Sequence, residues 1–205
     1  MREAEQWTAH TGAKRDPTAD RRLGSGCRGG SGNRFIGEVR DLGFAGVQNF
    51  PTVGIYDGTF RQNLEETGMG FQREVEMIHT AHELDLLTTP YAFNAAEARD
   101  MAEAGADIVV AHMGLTTSGT IGAQTAMNLD EAVDRVTEIK ESAKSVRDDV
   151  IVLCHGGPIA MPEDAQYVLS HTSDVDGFYG ASSMERLPTE TAMTAAIKKF
   201  KQVTV

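Results

Sequence analysis

The 205-residue chain is 40% hydrophobic with a net charge of -11, enough apolar material for one sizeable core. That balance excludes nucleic acid as a partner, because phosphate binding needs clustered Lys and Arg. No apolar run approaches the ~18 residues of a membrane span, and no apolar leader is present, so a cytoplasmic protein with no membrane partner is expected.

Residues 1–33 show no apolar period and hold a Gly/Arg/Ser cluster between Arg21 and Gly32. They read as a disordered or non-homologous arm. The regular pattern begins at Arg34 and continues as one domain over 34–205. Phe35, Val39 and Leu42 share a helical face, and Gly43 closes that helix. A strand over 45–50 ends at Pro51. Residues 53–70 form a long irregular segment with a turn at Asp57-Gly58 and a short helix through 63–66. A helix over 71–84 precedes a strand over 87–93. Asn94 caps the helix 95–104, which Gly105 ends.

Two later strands share one design. Ile108 to Ala111 is an apolar run ending in His112, and Val150 to Cys154 ends in His155. A buried parallel strand that ends in a polar side chain delivers it to a ligand mouth. Asn128 precedes a helix over 129–146, and Pro162 opens another that ends near His171. A fifth strand spans 175–180, and a last helix runs over 189–201. The two cysteines, Cys27 and Cys154, read as reduced thiols.

Five strands alternating with helices imply a parallel α/β sheet, either doubly wound and open or part of an eight-stranded (TIM) barrel. No GxGxxG follows the first strand, which weakens a dinucleotide-binding sheet. Gly156-Gly157 and Gly180-Ala-Ser-Ser183 instead follow the last two strands, where barrels commonly build anion sites. The barrel is the better fit.

The runs 43–54, 61–70, Ala111-His-Met-Gly-Leu-Thr-Thr117, Leu153-Cys-His-Gly-Gly-Pro158 and 180–188 resemble the phosphoenolpyruvate hydrolase-like TIM-barrel family. Some plant virus-resistance proteins carry a similar domain. The resemblance implies a (β/α)8 barrel acting on a small phosphorylated or phosphonylated keto acid. About three further βα units would precede Arg34 in such a barrel, so a partial, truncated barrel with about five βα units and open edges is expected. Closure with a second copy as a homo-oligomer is one way to cover those edges.

Within that frame, His112 and His155 are the candidate proton-transfer pair. Glu185 is the third candidate catalytic group. Gly156, Gly157, Ser182 and Ser183 are candidates to cradle a small anionic metabolite. Arg186 would clamp the anion, and Asn49 would orient substrate. Each has a plainer reading: core histidines, a tight glycine turn, a capping serine, a surface ion pair and a strand-end cap. Arg61, Glu65 and Glu66 read as solvated charges rather than a lid. His79 and His82 read as structural.

No lysine ends a strand, which disfavours a Schiff base. Cys154 points away from His155 by alternation, so no metal set is assigned. A divalent metal such as Mg²⁺ stays open, with no ligands evident. The competing readings are a non-catalytic ligand-binding or signalling barrel and an inactive fragment.

Overall fold

The computed structural model describes residues 31–204. The expected arm lies outside them, apart from residues 31–33, which open the first helix. That helix, α1 (Ser31–Asp41), buries Ile36 and Val39, while Leu42 is 75% exposed. Leu42 was expected on the buried face, but it falls beyond the last helical residue. There the chain turns at Gly43 with φ +89°, which a glycine adopts without a Cβ clash.

The strands are β1 (Gly46–Val47), β2 (Leu87–Thr88), β3 (Tyr91–Ala92), β4 (Ile108–His112), β5 (Ile151–His155) and β6 (Gly177–Phe178). The single strand expected over 87–93 is thus two short pairings. Thr89-Pro90 interrupts it, because Pro90 has no N–H to donate. The Asn49 side chain replaces the missing ladder: its Oδ1 accepts from the Tyr91 N–H at 2.7 Å, and its Nδ2 donates to the Tyr91 carbonyl at 3.1 Å.

All pairings are parallel, β1 with β2 and then β3-β4-β5-β6 in sequence order. A doubly wound sheet reverses its strand order at a switch point. This one never reverses, and that is the order of a barrel wall. Among the described residues the wall does not close, so the structure is an α/β partial barrel, an open arc of parallel strands.

Alternation along the strands separates two faces. Val109, Ala111, Val152 and Cys154 point outward and are fully buried against helices α4 (Ala95–Glu103) and α5 (Leu129–Val146). Ala98, Met101, Val136 and Ile139 of those helices complete this layer. Asn94 caps α4 as the sequence implied, and Asn128 caps α5 in a capping box with Glu131. The inward face carries Val110, Leu153, His112 and His155. At its N-terminal end Leu87 and Ile151 stand 46% and 42% exposed, because no opposite wall covers them among the described residues.

The 53–70 segment is more ordered than its composition suggested. Helix α2 (Gly58–Glu66) fills it, followed by α3 (Gln72–Glu83). Arg61 ties it down: its guanidinium binds Glu65 at 2.6 Å, Glu97 at 3.1 Å and the Val53 carbonyl at 3.1 Å. The same group lies over the Phe71 ring. Arg61 and Glu65 are therefore not simply solvated charges, since both ends of the segment converge on one fork-shaped donor. Glu66 remains exposed and bonds Gln62.

After α6 (Pro162–His171), helix α7 (Arg186–Phe200) begins three residues earlier than expected. Pro188 sits in its first turn, where an N–H would have no intrahelical partner. No helix among the described residues is long and apolar enough to cross a membrane.

Candidate active site at the strand ends

β4 and β5 pair in register, with His112 directly opposite His155 at their C-terminal ends. Both side chains enter the concave face, each residue is 5% exposed, and the rings lie 4.7 Å apart. Their hydrogen bonds assign complementary tautomers. The Gly114 N–H donates to His112 Nδ1 at 3.0 Å, so that nitrogen is a lone pair and Nε2 carries the proton. His155 Nδ1 meets the Tyr179 carbonyl oxygen at 2.6 Å. A carbonyl only accepts, so here Nδ1 holds the proton and Nε2 is the free base.

Burial, and then the neighbouring His155, push the His112 pKa down to about 3. Burial also lowers His155, partly opposed by its bond to the Tyr179 carbonyl. Both rings are neutral at pH 7, because an imidazolium loses hydration here without gaining a carboxylate partner.

Aromatic groups enclose the pair. Tyr91 stacks on His155 with centroids 5.1 Å apart and meets His112 edge-on at 4.7 Å. Phe93 covers His112 at 4.6 Å, and Tyr179 stands edge-on to His155 at 5.9 Å. Burial, Tyr179 and Glu185 raise the Tyr91 phenol well above its ordinary value, so it stays protonated. Gln48 closes the group from the residue after β1, its Nε2 donating to the Tyr179 hydroxyl and the Thr89 carbonyl, each at 3.3 Å.

Gln48, Tyr91 and Tyr179 were not singled out from sequence, though one signal was available. Gly46 and Gln48 alternate with the core residue Val47, which places the glutamine on the inner face. The tyrosines gave no such cue, since an aromatic at a strand end reads first as packing.

The other expected site residues fare differently. Asn49 splices β1 to β3 and donates to Glu74 at 2.6 Å, so its amide serves the scaffold. Glu74 also accepts from Thr52 and the Val53 N–H, and burial pushes it up to about 7. Gly156 and Gly157 adopt φ +74° and +57°. The Gly157 N–H donates to the Gly114 carbonyl at 2.7 Å, so it is already occupied. A Cβ on Gly157 would lie 2.2 Å from the Met113 carbonyl oxygen, which accounts for the glycine by close approach of two loops.

Ser182 and Ser183 lie half-buried at the turn before α7, and Glu185 follows, exposed. Arg186 is committed to Glu190 at 2.9 Å and the Ser118 carbonyl at 3.3 Å. It fastens the loop after β4 to α7. His79 and His82 lie on α3 away from the mouth, His79 beside Glu83 and His82 against Gly105.

Cys154 faces the helices, and burial lifts its thiol to about 11. Among the described residues no three His, Cys, Asp or Glu side chains converge to hold a metal ion.

The chain matches the phosphoenolpyruvate hydrolase-like family over residues 30–203. It is 61% identical over 173 residues to the ToMV resistance protein Tm-1(GCR237) of Solanum lycopersicum, covering 84% of this chain and 23% of that protein. It is 36% identical over 165 residues to the putative transcriptional regulatory protein y4pA of Sinorhizobium fredii, covering 80% and 27%. The chain thus spans about a quarter of the length of these curated relatives. Among solved structures, 2,3-dimethylmalate lyase, a PEP mutase/isocitrate lyase superfamily member, aligns over 92% of this chain and 88% of its own, with TM-score 0.39 and 10% identity. The family match covers the whole arc of strands and both histidine ends, and the chain belongs to the phosphoenolpyruvate hydrolase-like family.

Proposed function

We propose that the mouth of this arc hydrolyses a small phosphorylated or phosphonylated keto acid. The observation that carries the reading is the complementary tautomer pair, a free Nε2 base on His155 beside an Nε2–H donor on His112. In P–O cleavage, His155 Nε2 takes a proton from the attacking water as the water oxygen bonds phosphorus. The P–O bond breaks and its electron pair leaves on the enolate. The His112 Nε2–H hydrogen-bonds that developing negative charge, and its low pKa keeps it a neutral donor. His155 then returns its proton to the enolate, which completes the exchange of water for phosphate.

The half-buried Ser182 and Ser183 hydroxyls are the groups we assign to the anion, with Gly156 at the adjoining turn. Glu185 lies near enough to influence Tyr91 and orients polar substrate atoms. Because the relatives are far longer, the activity of a whole protein of this kind is part of the same proposal.

Substituting either histidine by Asn tests it. The δ position of Asn reproduces the bond to Gly114 or to the Tyr179 carbonyl, while the catalytic ε nitrogen disappears. With phosphoenolpyruvate and phosphonopyruvate as substrates and phosphate release followed by ³¹P NMR, each variant should lose about 10²–10⁴ in kcat with little change in KM. Unchanged turnover in both variants, or none in the unaltered protein, would sink the hydrolytic reading.

A further inference from the structure

Among the described residues, one buried polar side-chain atom has no hydrogen-bond partner, and it is Gln48 Oε1. Gln48 is 4% exposed. Its side chain cannot simply be turned over to cure this. The Thr89 carbonyl only accepts, so the amide nitrogen must face it, and Oε1 is held on the other side as an acceptor. The amide also bonds the Tyr91 hydroxyl and the Tyr179 hydroxyl, the latter beside the ring that edges onto His155. The Tyr179 oxygen accepts there, which leaves its own proton available to donate.

Buried acceptors are seldom left unmade, and those that are call for an explanation such as a ligand. We propose that Gln48 Oε1 and the Tyr179 hydroxyl form a subsite that recognises a hydroxyl group on the ligand. An alcohol answers both partners at once: its proton goes to Gln48 Oε1, and its oxygen accepts from Tyr179. A carboxylate oxygen cannot do this, since it has no proton to give at neutral pH. The inference rests on the reading of this mouth as a small-molecule site, and it specifies the substrate class further. The ligand is a hydroxylated acid, so phosphoenolpyruvate, which has no hydroxyl, would be an incomplete match.

Two ligand pairs that each differ by a single hydroxyl test this by calorimetric titration: 2-phosphoglycerate against 2-phospholactate, and glycerate against lactate. The hydroxylated member of at least one pair should bind about tenfold or more tightly than its partner, because the analogue leaves the buried acceptor unpaired. Gln48→Met removes the acceptor and should erase that ratio. Tyr179→Phe, which keeps the ring and the Gln48 bond to Thr89, should reduce it.

Equal affinities within both pairs in the unaltered protein would overturn the subsite. So would a hydroxyl preference that survives in both variants when each melts like the parent. Discrimination confined to glycerate and lactate, with no binding of either phosphate ester, would support the subsite and remove the phosphorylated-substrate reading instead.

Discussion

His112 should make the fold sensitive to acid in a way that one substitution isolates. Its pKa lies at about 3 in the folded chain against an ordinary 6.5. The folded value is the lower one, so its contribution to stability is complete above pH 6.5 and is lost as the pH falls towards 3. At pH 5 the unfolded chain has taken up the proton and the folded chain has not. About 1.5 pH units at ~1.4 kcal/mol each gives roughly 2 kcal/mol. The figure depends on the unfolded pKa and not on how far below 5 the folded one lies.

Glu74 acts in the opposite direction. Burial holds it at about 7 against 4.5, so its contribution is present at low pH and lost as the pH rises through 7. Between pH 7.5 and 5 it returns about the same roughly 2 kcal/mol that His112 removes, so the pH profile of the parent protein alone would not isolate His112. His112→Asn cancels the Glu74 effect in the comparison and keeps an acceptor for the Gly114 N–H. Urea unfolding at both pH values should show the parent losing roughly 2 kcal/mol relative to the variant on acidification. Circular dichroism is the suitable signal, because the one tryptophan, Trp7, lies outside the described residues. Parallel pH profiles for the two proteins would refute the buried neutral histidine.

Two scaffold substitutions follow from the same geometry. Gly157→Ala combines a left-handed backbone with a Cβ driven against the Met113 carbonyl. It should cost about 2–4 kcal/mol and lower the melting temperature by roughly 5–10 °C, and an unchanged melt would mean the two loops separate freely. Arg61→Met strands the buried Glu97 carboxylate and releases the 53–70 segment. A loss of about 2 kcal/mol is expected, with faster protease nicking confined to that segment, and nicking at the parent's rate would show that another contact holds it.

Much of the scaffold could be read without coordinates, because it depends on local pattern. The alternating elements, the cap at Asn94, the turn at Gly43 and the two histidine strand ends each follow from neighbours a few residues apart. The partners of Asn49, whose amide bonds Tyr91 and Glu74, lie too far along the chain to be read from its neighbours. The glycines of 156–157 were legible as special positions. The partner that makes Gly157 necessary, the Met113 carbonyl, belongs to a different strand end.

What the sequence determined by itself was the series of elements and the two histidines at matching ends, since strand period and end chemistry are properties of short stretches. Tertiary structure alone decided the rest. The unreversed strand order, the opposite tautomers set by the Gly114 N–H and the Tyr179 carbonyl, and the Arg61 fork all depend on groups far apart in the chain. So does the bond between Gln48 and Tyr179, which lie 131 positions apart. A hydrogen-bond partner across that distance leaves no periodic trace, because it is selected by where two strands end in space and by nothing in the residues between them.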